Sequence, residues 1–178
     1  MSVNYTKGGI IMLYLKEANY EDLEKEYLFV RDMPVDENGL TNDWHGVSRE
    51  EFEKKALPQM IAWSKGEDLP EGFVPETFLF LWQDEKIVGQ FRIRHYLCES
   101  LREGAGHIGY FIGKEFRGKG YGTEGLRMTL EKAKEIIPED EVYLRVDRHN
   151  QPSLHVMLNN GGVIHHEDDL KYYVRIRK

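Results

Sequence analysis

The segment with the clearest chemical potential is residues 115–123, which reads Glu-Phe-Arg-Gly-Lys-Gly-Tyr-Gly-Thr. Eight of the 17 glycines of the chain fall between Gly104 and Gly125, and this segment is the densest part. Glycine lets the backbone turn tightly and approach a ligand closely, and the residues that follow have a helical pattern. The free N–H groups and partial positive charge at a helix start attract anions. The segment therefore predicts a phosphate or pyrophosphate site, with Arg117 and Lys119 adding positive charge.

Neither of two common nucleotide fingerprints accounts for this loop. The chain does not contain the G-x-x-x-x-G-K-[ST] spacing of a nucleoside-triphosphate loop. Gly120, Gly122 and Gly125 formally complete the dinucleotide pattern G-x-G-x-x-G. That pattern requires a parallel βαβ unit, whereas an antiparallel-looking hairpin precedes the loop here.

The loop instead resembles the signature of the GCN5-related N-acetyltransferases, the GNAT superfamily, whose R-x-x-G-x-G loop binds the pyrophosphate of acetyl-CoA. Arg117, Gly120 and Gly122 fall on the arginine and the two glycines of that signature. Farther along the chain, Asn150-Gln151-Pro152-Ser153 resembles the N-x-x-[AS] element of the family, and an asparagine-glycine turn follows at residues 159–162. Together these elements span residues 107–163.

The resemblance implies a set of residues that bind acetyl-CoA, which acts as cosubstrate. The backbone of two strand residues would pair with the acetyl and pantetheine portion, the loop N–H groups would hold the pyrophosphate, and two residues at a helix start would face the pantetheine arm. These residues are, in that order, Phe111 and Ile112; Arg117, Gly118, Lys119, Gly120, Tyr121, Gly122 and Thr123; and Asn150 and Ser153. Such a cleft requires two neighbouring strands to splay apart, here within residues 107–112 and 142–147.

The catalytic groups are less clearly indicated than the acetyl-CoA residues. Family members often carry a tyrosine seven residues after the asparagine as the acid for the leaving thiolate, and that position is Met157 here. A thiol with a pKa near 8.5 leaves without full protonation, so catalysis remains chemically feasible. For a base that deprotonates the amine, the sequence offers His107 and Asp147 near strand ends and Glu76 at the start of a hairpin.

The leading hypothesis is an acetyl-CoA-dependent N-acetyltransferase that acts on a primary amine of a small molecule or peptide. A coenzyme A or acyl-CoA binding module without turnover is the alternative, suggested by Met157 and the unassigned base. A regulatory protein that binds another phosphate ligand is a third hypothesis. Acidic residues in the variable segments would attract a cationic amine: Glu37, Asp43, Glu67, Asp68, Glu71 and Glu76.

Hydrophobic patterning predicts an α+β chain with the order strand, two helices, three strands, helix, strand, helix and two strands. The family resemblance specifies an α/β sandwich with a mixed, mostly antiparallel central sheet flanked by helices. We expect residues 1–9 to form a flexible arm and residues 10–178 to form one domain. Ser48 opens the second helix with a capping box, and Pro58 should kink or split that helix.

Composition excludes several classes of protein. The 178 residues carry 24 Lys and Arg against 31 Asp and Glu, and the net charge of −7 argues against nucleic-acid binding. One cysteine, Cys98, excludes an intramolecular disulfide. No apolar run approaches the roughly 18 residues of a membrane span, and no secretory signal is evident, so we expect a soluble cytoplasmic protein. We expect no metal site at residues 165–169, and edge strands suggest a homodimer.

Overall fold

The computed structural model describes residues 2–6 and 9–178, with side chains from residue 12 onward. In chain order the strands are β1 (Ser2–Thr6), β2 (Gly9–Glu17), β3 (Asp36–Glu37), β4 (Leu40–Thr41), β5 (Glu76–Gln83), β6 (Lys86–Arg94), β7 (Ile108–Ile112), β8 (Glu141–Asp147), β9 (Val163–Glu167) and β10 (Lys171–Arg177). The helices are α1 (Leu23–Asp32), α2 (Arg49–Glu51), α3 (Leu57–Ser64), α4 (Glu99–Arg102), α5 (Tyr121–Ile136) and α6 (Gln151–Asn159).

The strands form one larger and one smaller antiparallel sheet within a single domain. The larger sheet has the order β1-β2-β5-β6-β7, and the smaller has the order β8-β10-β9. A separate two-stranded hairpin, β3–β4, comes from the connection after α1. Every paired strand runs antiparallel to its partner in the described residues. The predicted α+β class is confirmed.

Strand β5 shows why helices cover both faces of the larger sheet. Its side chains alternate between two buried clusters, with Leu79 and Leu81 in the cluster that includes α5. Phe78, Phe80 and Trp82 join the cluster on the opposite face, which includes α1 and α3. Successive side chains of a strand point to opposite faces of the sheet, so a strand that is apolar at every position must be covered on both faces. The fold therefore has helices in front of and behind the sheet.

The second predicted helix is continuous through Pro58. Ser48 caps it as expected, since its Oγ accepts a hydrogen bond from Glu51 N–H at 3.2 Å. A π-helical turn at Phe52–Ala56 joins α2 to α3, and Pro58 lies in the first turn of α3. The wider turn accommodates the ring and the missing N–H of the proline, so the chain neither stops nor separates into two helices there.

The amino-terminal segment forms a strand where the structure describes it. Ser2–Thr6 pairs antiparallel with β2, at the edge of the larger sheet. Residues 1, 7 and 8 of the predicted arm lie outside the described residues, and the flexibility of the arm stays a prediction. No described helix has the length and apolar character needed to cross a membrane.

Candidate active site

Strands β7 and β8 meet at one point and then diverge. His107 N–H donates to the carbonyl of Tyr143 at 2.7 Å, and a single bridge joins Gly106 to Leu144. Gly106 has a φ of +71°, and a Cβ at this position would overlap the Tyr143 carbonyl, so only glycine allows this approach. Beyond the bridge, no described strand pairs with the outer edge of β7.

A cavity of about 550 Å³ occupies the space between the diverging strands. Residues of β7 and β8 form its sides, and residues 116–123 and the start of α6 continue its wall. The β3–β4 hairpin contributes Glu37, Asn38, Gly39 and Leu40. The predicted splay between residues 107–112 and 142–147 is therefore present, and it opens directly onto the glycine-rich loop.

The register of β7 decides which of its backbone groups face the cavity. At one end of the strand, Arg94 N–H donates to His107 O at 2.8 Å; at the other, Gly113 N–H donates to Val88 O at 2.9 Å. In an antiparallel pair, hydrogen-bonded and non-hydrogen-bonded residues alternate. This alternation leaves three residues with N–H and C=O groups directed away from β6 and toward the cleft: Ile108, Tyr110 and Ile112.

The register changes the role expected for one predicted residue. Phe111 is paired with Gln90, so its backbone groups are used by β6 and do not face the cleft. Its side chain lines the cavity instead. Ile112 keeps the predicted backbone position, and Tyr110 takes the place that the sequence assigned to Phe111. The register depends on how β7 pairs with β6, so the R-x-x-G-x-G signature alone did not determine which strand residues face the cleft.

The glycine-rich loop and the start of α5 present unpartnered backbone N–H groups to the cavity. Gly120 precedes α5 with a φ of +81°, and no side chain caps the helix. The first N–H groups of α5 therefore lack helical partners and belong to residues that line the cavity: Tyr121, Gly122 and Thr123. A Cβ at Gly118 or Gly120 would meet no atom within 4 Å, which leaves this space available to a ligand.

Most of the predicted acetyl-CoA residues share this one cavity, and Lys119 is the exception. Its Nζ donates to the carbonyl of Glu115 at 2.9 Å, and its side chain does not line the cavity. Arg117 lies against the strand, with Nε donating to Ile112 O at 2.9 Å. Its Nη1 lies 2.8 Å from Glu37 Oε1 in an ion pair.

The sequence did not indicate that Glu37 lies beside the glycine-rich loop. The hydrogen bond from Arg117 holds the pKa of the Glu37 carboxyl below its usual value. Its second oxygen, Oε2, is buried without a hydrogen-bond partner among the described residues. The available signal was the dipeptide Asn38-Gly39, which is typical of a two-residue hairpin turn, but its position over the cleft depends on tertiary structure.

Two hydroxyl groups meet across the cleft near the start of α6. The Tyr110 hydroxyl lies 2.7 Å from Ser153 Oγ and 3.1 Å from the Ser153 carbonyl. Burial raises the pKa of Tyr110, so the phenol keeps its proton at neutral pH. Asn150 caps α6, its side-chain oxygen accepting from Ser153 N–H at 3.3 Å. Tyr110 is a functional candidate that the sequence analysis missed.

His107 is placed outside the cavity. It is fully buried, its Nδ1 accepts from Tyr143 N–H at 2.9 Å, and its Nε2 lies 3.2 Å from Glu139 Oε2. Because Nδ1 is an acceptor, the ring proton resides on Nε2, and burial lowers the pKa of the imidazole. Its hydrogen bonds hold the bridge between β7 and β8.

The two carboxylate candidates differ in their access to the cavity. Glu76 is buried, lies behind the lining, and approaches Arg94 Nε at 3.4 Å. Asp147 lines the cavity and forms an ion pair with Lys171. Of the three predicted base candidates, the structure brings only Asp147 to the cleft.

A sequence model of the family described as "Acetyltransferase (GNAT) domain" matches residues 13–163. The chain belongs to the GNAT acetyltransferase family. The match covers most of the chain and both predicted motifs, so the resemblance stated from the sequence is confirmed. No curated protein matches the chain closely in sequence.

Solved structures share the GNAT fold with this chain at low sequence identity. Campylobacter jejuni N-acetyltransferase PseH in complex with acetyl coenzyme A is 18% identical, with a TM-score of 0.57, covering 94% of this chain and 99% of that chain. Ribosomal-protein-S5-alanine acetyltransferase from Vibrio fischeri is 16% identical, with a TM-score of 0.65 and coverages of 99% and 97%. A chimera of spermidine N-acetyltransferase SpeG from Vibrio cholerae and hSSAT is 15% identical, with a TM-score of 0.59 and coverages of 93% and 95%.

The charge around the cavity of this GNAT protein differs from the expectation of an acidic acceptor site. Of the acidic residues expected to attract a cationic amine, Glu37 alone lines the cavity within the part of the chain that the structure describes. Among the same residues, no three His, Cys, Asp or Glu side chains form a group suited to a metal ion.

Proposed function

We propose that the protein transfers the acetyl group of acetyl-CoA to a primary amine of a small molecule or peptide, directly and within a ternary complex. The observation that carries this proposal is the continuity of one cavity. The unpaired edge of β7, which offers backbone groups to an extended ligand arm, opens onto the uncapped amino terminus of α5, which offers N–H groups to a pyrophosphate.

The residues of the chain fit the parts of acetyl-CoA in order along this cavity. The N–H groups at residues 118–123 would hold the pyrophosphate, where open space surrounds Gly118 and Gly120. The backbone groups of Tyr110 and Ile112 would pair with the pantetheine arm, with Asn150 and Ser153 on the opposite side. Asn160 supports this arrangement, because its side-chain nitrogen donates to Thr123 O at 3.1 Å and ties α6 to α5.

The transfer step forms a C–N bond and breaks the C–S bond of the thioester. The neutral amine attacks the acetyl carbon, and the oxyanion that develops is stabilised by a cleft-facing N–H of β7. Asp147 is the carboxylate at the cavity wall that can accept the amine proton, directly or through water. The Tyr110 phenol, which is hydrogen-bonded to Ser153, supplies a proton to the departing thiolate.

The similar structures have acceptors of different kinds, according to their names. One acts on an alanine of ribosomal protein S5 and another on spermidine. Both acceptors are amines, which supports N-acetylation here. Because the two acceptors differ, the acceptor of this chain has to be inferred from its own residues.

A coenzyme A binding module without turnover is the second candidate. The observation that favours it is Met157, which is buried and lines the cavity at the position where the family often has its acidic tyrosine. The two functions are separated by release of free thiol, which turnover produces and binding alone does not.

The first experiment is calorimetric titration with acetyl-CoA, followed by an assay of thiol release with a panel of amines. Gly120→Ala should lower acetyl-CoA affinity at least tenfold, because the new methyl group enters the pyrophosphate space and the φ of +81° becomes strained. Gly161→Ala is the matched control, since Gly161 has a φ of +82°, open surroundings and no place in the cavity lining.

Both variants should lose similar stability, on the order of 1 kcal/mol, because both place a side chain in a left-handed conformation. Equal acetyl-CoA affinity in the two variants would contradict the location of the pyrophosphate site. Binding of acetyl-CoA without thiol release for any amine would favour the binding module over the transferase.

A further inference from the structure

Three basic side chains line the cavity outside the glycine-rich loop: Arg94, Arg145 and Lys171. Arg94 ends β6 and Arg145 follows the bridged Leu144, whereas Lys171 pairs with Asp147 farther along β8. The residues that would hold the pyrophosphate lie on the loop after β7 and at the start of α5. We therefore take the part of the cavity around the three basic residues as the acceptor end.

Two of these three cations already have carboxylate partners. Arg94 Nε lies 3.4 Å from Glu76 Oε1, and Arg94 Nη1 donates to Gly106 O at 3.2 Å. Lys171 forms an ion pair with Asp147, which faces it across the β8–β10 pairing. Their charges are largely neutralised within the protein.

Arg145 has no such partner. No ion pair or side-chain hydrogen bond involves it among the residues with described side chains. The residues without described side chains, 1–11, contain no Asp or Glu. Arg145 is partly buried beside the β6–β7 connection, with Nη1 about 4.0 Å from the position that a Gly104 Cβ would occupy. The acceptor end of the cavity therefore carries one uncompensated positive charge.

We propose that the acceptor is a small amine that also carries a carboxylate, as an amino acid does, and that Arg145 binds this carboxylate. This inference rests on the proposed N-acetyltransferase function and names its substrate class. A guanidinium presents paired donors that match the two oxygens of a carboxylate. A single unpaired cation suits a monoanion, and it opposes the entry of a polycationic amine.

The spacing along β8 agrees with a compact acceptor. Arg145 and Asp147 are two residues apart on one strand, so their side chains leave the same face about 7 Å apart. Asp147 is the proposed base for the amine, and Arg145 is the proposed anchor for the carboxylate. A molecule with amine and carboxylate a few bonds apart can contact both residues at once.

The test compares matched pairs of amines by thiol release. L-amino acids are assayed against the corresponding amino acid amides, with spermidine and an alanine-terminated peptide as further amines. The acids should exceed the amides in kcat/KM by at least tenfold. Arg145→Gln should reduce this acid-to-amide ratio to near one, and Arg145→Lys should give an intermediate ratio.

Arg177→Gln is the control, since it removes the same charge from an arginine of β10 that is 91% exposed and outside the cavity. It should keep the wild-type ratio. The ratio is informative because a purely structural defect lowers both rates together.

The outcomes separate the two levels of the proposal. Equal rates for acids and amides, or a preference for spermidine or the peptide, would overturn the inference while the transferase function stands. An unchanged ratio in Arg145→Gln would overturn the role of Arg145. Acetyl-CoA binding with no transfer to any amine would overturn the proposed function, and the inference with it.

Discussion

Tyr110 brings two different groups to the cleft. Its backbone lies on the free edge of β7, and its phenol reaches α6, where it meets Ser153. The ring stacks on Phe91 with centroids 5.3 Å apart, which fixes the direction of the hydroxyl. Ser153 and Met157 are one helical turn apart and so lie on the same face of α6. The phenol therefore lies within a turn of the position where the family often places its tyrosine.

Removing this hydroxyl should slow transfer without preventing acetyl-CoA binding. We expect Tyr110→Phe to lower kcat by about 10- to 100-fold. This is at or below the low end of the usual effect of general acid catalysis, because a thiolate leaves with little help from a proton donor. The acetyl-CoA dissociation constant should change less than threefold in calorimetry.

Tyr14→Phe provides the control for this variant. It also removes a hydroxyl that is hydrogen-bonded within the protein, to Asp84 O at 2.8 Å, but it lies outside the cavity. If Tyr110→Phe retains the kcat of the wild type, Tyr110 is not the acid. If both variants lose kcat equally, the effect is one of stability.

At the scale of elements, the β3–β4 hairpin lies across the cleft and contacts both of its sides. Glu37 pairs with Arg117 on the loop after β7, and Asn38 Oδ1 lies 3.1 Å from His149 Nε2 on the connection after β8. Asn38 and Gly39 both have positive φ, as a tight hairpin turn requires. The hairpin therefore links the acetyl-CoA loop to the opposite side of the cavity.

The Glu37–Arg117 contact should oppose acetyl-CoA binding. A bound pyrophosphate would compete with Glu37 for Arg117 and would be repelled by the Glu37 carboxylate, which its lowered pKa keeps ionised at neutral pH. Glu37→Gln should therefore tighten acetyl-CoA binding by about two- to fivefold, under 1 kcal/mol because the pair is partly exposed. Calorimetry at low and high salt measures this effect.

The gain should shrink as salt screens the charges. Glu85→Gln serves as the control, because it breaks an exposed ion pair with Lys25 far from the cavity. Weaker binding in Glu37→Gln would show that Glu37 assists the ligand instead of competing with it.

The elements themselves were predictable where local chemistry determines them. Ser48 caps its helix as the capping box predicts. Asn19 is of a residue type that often caps helices, but it accepts from Asp22 N–H at 3.0 Å in a turn before α1, which begins at Leu23. Asn and Asp side chains stabilise turns as well as caps, so the sequence alone did not separate the two.

Strand register required tertiary information. Regular alternation along a strand would place His165 and His166 on opposite faces of the last hairpin, but their Nδ1 atoms lie 2.8 Å apart. The pairing of β9 with β10 shifts by one residue between Tyr173 and Val174, and this bulge breaks the alternation. The reassignment from Phe111 to Tyr110 has the same origin, since pairing with β6 decides which groups face the cleft.

At the scale of the whole molecule, the acetyl-CoA signature comes from neighbouring segments of the chain, whereas the proposed acceptor site comes from distant ones. The proposed acetyl-CoA site lies in consecutive elements within residues 107–163, so its motif is visible in the sequence. The proposed acceptor end combines β6 with β8 and β10, which are distant from it in the chain. Strands β8 and β10 pair directly, and the bridge at Gly106 joins β8 to the connection between β6 and β7. The basic character of this end arises from how the strands pack together, and the acidic composition of the loops did not indicate it.

A buried carboxyl links the stability of the whole fold to pH. Glu26 on α1 is fully buried, and it accepts from Asn19 N–H and from Asn19 Nδ2, both at 3.2 Å. Burial raises its pKa from 4.5 to about 8. Between these values the folded protein binds a proton that the unfolded chain has released. The stability contributed by the protonated carboxyl is thus complete below about pH 4.5 and is lost as the pH rises through about 8.

Glu26→Gln keeps the shape and hydrogen bonding of a protonated carboxyl while removing its titration. We therefore expect its free energy of unfolding, relative to the wild type, to increase by about 1 to 3 kcal/mol between pH 5 and pH 8.5, since each unit of pKa shift corresponds to about 1.4 kcal/mol. Urea unfolding across this pH range measures the difference. Glu21→Gln makes the same substitution at an exposed residue just before the helix and serves as the control. Parallel curves for Glu26→Gln and the wild type would show that Glu26 is ionised in the folded protein and is stabilised by Asn19 instead of by its proton.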